Sequence, residues 1–191
     1  MPLETIGAIA NVVTLFVVAI SAFAAMRQLR HLRDSNQLQA ILALVQDFQS
    51  ERLQAALRYV QVELTAKLED SAYRAELAKV GFVDPVAHPE MEACNWFNEM
   101  GTLVKNNLVD EDTFLDLFDR LVLYYWNLLA PAIAVLRRTR GDAQYESFEY
   151  LAAVAKRWQV RHPHGRFPSS VARLSMPDPW SERDAAPVSA L

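Results

Sequence analysis

The chain has 191 residues, a formal net charge of -4 and 52% hydrophobic residues. No strong positive field draws it to nucleic acid, and its length suits one domain with a real core. Cys94 is the only cysteine, which excludes an intrachain disulfide and a cysteine-based zinc site; it reads as a small core residue.

The first element is apolar. Thr5 to Met26 is 22 residues without a charge, and Arg27, Arg30, His31 and Arg33 follow at once. At ~1.5 Å per residue such a helix covers about 33 Å, against ~30 Å for a bilayer core. The expectation is an N-terminal transmembrane helix over 5–26 and a basic juxtamembrane segment over 27–35. Arg27, Arg30 and Arg33 would contact lipid headgroups. The positive-inside rule puts the N-terminus outside and the C-terminal domain in the cytoplasm, making this a single-pass protein of the inner membrane. A cleaved signal peptide needs positive charge before the apolar run, and Met1-Pro2-Leu3-Glu4 has none. A buried helix of a soluble domain is the other competitor.

One face of this helix is distinctive. Gly7, Asn11, Thr14, Val18, Ser21 and Ala25 follow a 4-3-4-3-4 spacing that collects every polar residue of the run. Phe16, Ile20 and Phe23 lie opposite. Small residues let helices approach closely, and a buried Asn fixes register. Self-association along this seam is expected, most simply as a parallel homo-oligomer.

Residues 36–160 read as a helical bundle. Leu38, Ile41, Leu42, Val45 and Phe48 mark one apolar stripe, and Leu53, Leu57, Val60 and Leu64 a second. The five-residue step from Phe48 to Leu53 predicts a break around Gln49–Glu51. Asp34-Ser35-Asn36 marks another interruption. Asp70 or Ser71 caps a short helix that Gly81 ends. A loop with Pro85 and Pro89 leads to a helix from about Pro89 to Asn107, buried along Ala93, Trp96, Phe97, Met100, Leu103 and Val104. Gly101 in its interior costs about 1 kcal/mol against Ala, which predicts a close helix crossing there.

Asp110-Glu111-Asp112 opens a helix reaching Arg140. Its uncharged stretch 121–136 is short for a second membrane crossing and holds Pro131, so it reads as a central core helix. After Gly141, Tyr145, Phe148, Leu151, Ala152, Ala155 and Trp158 form the last apolar stripe. Residues 161–191 are rich in proline without apolar periodicity and read as a disordered tail. The fold class expected is all-α: one transmembrane helix, then a multi-helix bundle.

No constellation carries chemistry. Glu92 and Glu99 share a helix face, but no Glu-x-x-His motif accompanies them. His162-Pro163-His164 lacks a third ligand. Arg137, Arg138 and Arg140 suit an anionic ligand or a partner contact, or simply a helix end favoured by its dipole. No catalytic residue, metal or cofactor is expected, and the chain does not read as an enzyme.

From Trp96 to Val104 the chain runs Trp-Phe-Asn-Glu-Met-Gly-Thr-Leu-Val, followed by Leu108-Val109-Asp110, Tyr125 to Ile133, Arg137-Arg138 and Phe148 to Leu151. This order resembles a family of small, mostly bacterial, membrane-anchored helical proteins classed as a domain of unknown function. The resemblance covers roughly residues 5–160 and implies a fold and an address, with no activity. The function expected is a membrane-anchored helical interaction or regulatory module that self-associates and engages a cytoplasmic protein partner. An oligomerising membrane effector, of the stress or phage-defence type, is the alternative.

Overall fold

The structure is a computed structural model that describes residues 3–81 and 83–180, with the side chains of 3–13, 30–38 and 40 left out of the description. The described residues form seven α-helices and no strand: α1 Leu3–Phe48, α2 Glu51–Val62, α3 Leu64–Glu69, α4 Ser71–Leu77, α5 Glu90–Lys105, α6 Glu111–Arg140 and α7 Glu146–Arg161.

The expected transmembrane helix is corrected. Among the described residues no helix is long and apolar enough to cross a membrane. Within α1 the apolar residues run straight into Arg27 in the same helix. The single-pass inner-membrane placement and the outside N-terminus fall with it. Of the arginines expected at lipid headgroups, Arg27 lies over the Phe23 ring, 5.5 Å from its centroid, while Arg30 and Arg33 lie outside the described side chains.

α1 is a single helix of 46 residues, about 69 Å long at ~1.5 Å per residue. It runs unbroken through Asp34-Ser35-Asn36. Mid-helix Asp, Ser and Asn each cost only about 0.7 kcal/mol or less against Ala, and no Gly or Pro falls there. The predicted break after Phe48 is present: Ser50 caps α2, its hydroxyl accepting from Leu53 N at 3.3 Å. Among the described side chains, α1 meets the bundle at its C-terminal end. Leu44 is buried, Ile41 and Phe48 pack on the core, and Leu42, expected on the buried stripe, is exposed. The Phe48 ring sits 5.3 Å from Trp96 and 5.9 Å from Phe118.

The rest of the core follows the apolar stripes. Leu53, Leu57, Val60 and Leu64 are buried, as are Ala93, Trp96, Phe97, Met100 and Val104 on α5. α6 buries Val122, Tyr125, Leu129, Ala132, Ile133 and Leu136, and α7 buries Phe148, Leu151, Ala152, Ala155 and Trp158. α5 and α7 make the closest crossing. A Cβ on Gly101 would lie 2.0 Å from the Ser147 carbonyl oxygen, so the predicted contact requires glycine. The Phe97 and Phe148 rings stack beside it at 4.7 Å. Phe148 N donates to Asn98 Oδ1 at 3.3 Å and Tyr145 OH to Asn95 Oδ1 at 3.0 Å, fixing the start of α7 on α5.

Candidate functional site

The burial of one α7 stripe dictates what the helix shows outside. With Phe148, Leu151, Ala155 and Trp158 turned inward, Ala153, Lys156, Arg157 and Val160 are exposed. Between this flank and the start of α6 lies a concavity of about 1030 Å³, lined by Glu111, Tyr150, Ala153, Val154, Lys156, Arg157, Val160 and Arg161. Val160 is 78% exposed within it. Glu111 is held at one end, accepting from Tyr150 OH at 3.4 Å and lying 3.8 Å from Arg161 Nη2. Lys156 and Arg157 have no ion-pair partner among the described residues. The groove therefore joins an apolar floor to three cations and one carboxylate, a combination suited to binding a helix.

A second polar feature lies at the start of α5. His88 and Glu90 are buried, 1% and 0% exposed. Glu90 Oε1 accepts from Tyr73 OH at 2.6 Å and sits 3.0 Å from His88 Nδ1, while the Tyr59 and Tyr73 hydroxyls lie 3.0 Å apart. The Tyr73 ring lies tilted against His88, the centroids 4.6 Å apart. Burial, and then the hydrogen bonds to Glu90 and Tyr59, raise the Tyr73 pKa; burial raises that of Tyr59. Both phenols remain hydrogen-bond donors. The network ties α2, α4 and the loop before α5 together. Tyr59 lines a cleft of about 360 Å³ shared with Arg52, Pro85, Pro89 and Glu92. Burial also pushes the Cys94 thiol up, with Glu90 adding to it, so Cys94 sits in the core as expected rather than as a nucleophile.

A family model described as Domain of unknown function (DUF4760) matches residues 15–158. The chain belongs to this family. No curated protein and no solved structure matches it. The DUF4760 match begins inside α1 and ends at Trp158, so it takes in the bundle and most of α7.

Within the DUF4760 domain the arginines at the end of α6 are turned to neighbouring elements. Arg137 Nε donates to Gln144 O at 2.9 Å, and its Nη2 lies 2.7 Å from Glu149 Oε2. Arg140 Nη2 donates to Lys79 O at 2.9 Å, and Thr139 Oγ1 to Ala78 O at 2.7 Å. Arg138 is exposed. Glu92 pairs with Arg52 at 2.6 Å, while Glu99 is exposed. His162 lies tilted against Trp158, the ring centroids 4.4 Å apart. Among the described residues no His, Cys, Asp or Glu group is placed to hold a metal ion. Of the seam, Thr14, Ser21 and Ala25 are exposed on α1; Gly7 and Asn11 lie outside the described side chains.

Sequence reasoning did not single out the outer face of α7 or the Tyr73–Glu90 pair. The first had a visible signal: Lys156, Arg157 and Val160 fall opposite the buried stripe, an apolar residue beside two cations. The second had none, because Tyr73 and Glu90 are 17 residues apart and on different helices.

Proposed function

We propose that this chain is a helical interaction module that assembles with copies of itself along α1. One observation carries the reading. In the described part of α1, Leu15, Phe16, Val17, Val18, Ile20, Phe23, Met26 and Leu29 are all more than half exposed, from 54% for Met26 to 70% for Leu15. At about 100° per residue these positions surround the helix. A helix apolar all round is stable when it is buried, and among the described residues these side chains stay exposed. Thr14, Val18, Ser21 and Ala25 fall within an arc of about 60° on that wheel, which gives the close-approach face for a second α1. Phe16, Ile20 and Phe23, on the other side, need further cover, so several copies suit the helix better than a pair.

Light scattering on the full chain, in mild detergent and without it, tests this. The expected result is a defined oligomer whose mass falls when Ser21→Glu and Ala25→Glu are combined. A monomeric native chain, or an unchanged mass in the double variant, overturns it.

A further inference from the structure

We infer that the groove along α7 binds an amphipathic helix with an acidic polar face, supplied by another protein. This extends the interaction reading to a second surface and stands whether or not α1 assembles.

The groove has the dimensions of a helix contact. Tyr150 to Arg161 is 12 residues of α7, about 18 Å at ~1.5 Å per residue, which matches three turns of a partner laid alongside. The exposed Ala153 and Val160 give the apolar floor that such a partner covers with residues spaced three and four apart.

Charge chooses among partners. Lys156, Arg157 and Arg161 outnumber Glu111, which is already held by Tyr150 and Arg161. Lys156 and Arg157 are left as donors aimed at solvent along the rim, exposed and without an ion-pair partner among the described residues. An acidic helix face satisfies them; a basic one is repelled. The described part of a neighbouring α1 fits badly, since Thr14 to Leu29 carries Arg27 and no acid. A nucleic acid would match the cations and leave the apolar floor uncovered.

The test uses the full chain and a fluorescein-labelled designed helix of about 12 residues, Leu on one face and Glu on the other, read by anisotropy. A twin peptide with Lys for Glu is the control. The Glu peptide is expected to bind about ten-fold more tightly than its twin, with a preference that shrinks as salt rises. Val160→Asp is expected to weaken it about ten-fold, and Lys156→Glu with Arg157→Glu to reverse the preference. All three side chains are exposed, and circular dichroism confirms that each variant folds. Equal binding of both peptides overturns the inference, as does native affinity in Val160→Asp. Tighter binding of a single-stranded oligonucleotide than of the Glu peptide, lost in the Lys156/Arg157 variant, assigns the groove to nucleic acid and overturns it too. Light scattering on the same variants separates the two readings: failed peptide binding with intact assembly removes the groove alone, and peptide binding by a monomer removes α1 assembly alone.

Discussion

Single residues carry unusual weight at two places in the core. At Gly101 the clash is with backbone: a Cβ would meet the Ser147 carbonyl oxygen at 2.0 Å and its carbon at 2.5 Å. Backbone on α7 cannot rotate aside as a side chain would. Gly101→Ala should therefore cost about 3 kcal/mol, the upper end for overpacking, although alanine favours the helix by about 1 kcal/mol. A urea unfolding midpoint unchanged in the variant would show that α7 slides freely. Glu90 is the second place. Its Oε1 receives Tyr73 and faces His88 Nδ1 in a fully buried setting. Glu90→Ala strands His88 Nδ1 at about 1–3 kcal/mol and leaves the Tyr73 hydroxyl with Tyr59 alone, whereas Tyr73→Phe removes two hydrogen bonds, to Glu90 and Tyr59, worth about 1 kcal/mol each. Chemical denaturation should place both variants below the native chain in stability; a native midpoint in either would mean that the network adds nothing. Gly101 was legible because an interior helix glycine is costly and needs a reason. Glu90 was not, because its partners come from elements brought together only by folding.

Between elements, polar side chains set the ends of helices that apolar stripes had already defined. Asp70 and Asp110 cap α4 and α6, accepting from Ala72 N at 2.8 Å and Thr113 N at 2.9 Å. These caps were visible in sequence because capping is local. The links between α5 and α7 were not. Lys105, at the end of α5, pairs with Glu146, at the start of α7. The hydrogen bond and charge of Lys105 hold the Glu146 carboxyl below the usual carboxylate range. Its contribution is thus present above the unfolded value and lost as pH falls through the lowered folded one. The destabilisation caused by Lys105→Met should be measurable near neutral pH, and should vanish in acid and in high salt. A loss independent of pH would mean that the Lys105 methylenes, and not the charge, do the holding. Arg137 and Arg140 illustrate the same limit. Their cluster was obvious in sequence, but the carbonyls of Gln144 and Lys79 that receive them were not.

At the scale of the molecule, α1 and the bundle divide the work. α1 touches the bundle through Ile41, Leu44 and Phe48, near its C-terminal end. Ser21 and Ala25 lie about 30 Å or more up the helix from Leu44, at ~1.5 Å per residue. Combined Ser21→Glu and Ala25→Glu should therefore lower the assembly mass and leave the bundle's unfolding midpoint, followed by tryptophan fluorescence, where it was. A matching drop in that midpoint would mean that bundle stability depends on assembly. The apolar character of 5–26 was plain in the sequence, and the sequence alone pointed to a membrane crossing. Among the described residues no helix is long and apolar enough to cross, and the apolar side chains exposed from Leu15 to Leu29 are the surface that self-assembly would cover.

What the sequence determined by itself is the set of helices and their inward faces. Leu53, Leu57, Phe97 and Phe148 could be assigned to the core from spacing alone, because the 3.6-residue period ties local order directly to burial. The α1–α2 break and the Gly101 crossing were readable for the same local reason. Only the tertiary structure decided which surfaces remain open. The α7 groove exists because Glu111 of α6 stands beside Tyr150 and Arg161, and the Glu90 network because α2, α4 and α5 meet at one point. Such sites are joint properties of elements distant in sequence, and their pairing is fixed by packing, which no single helical repeat records.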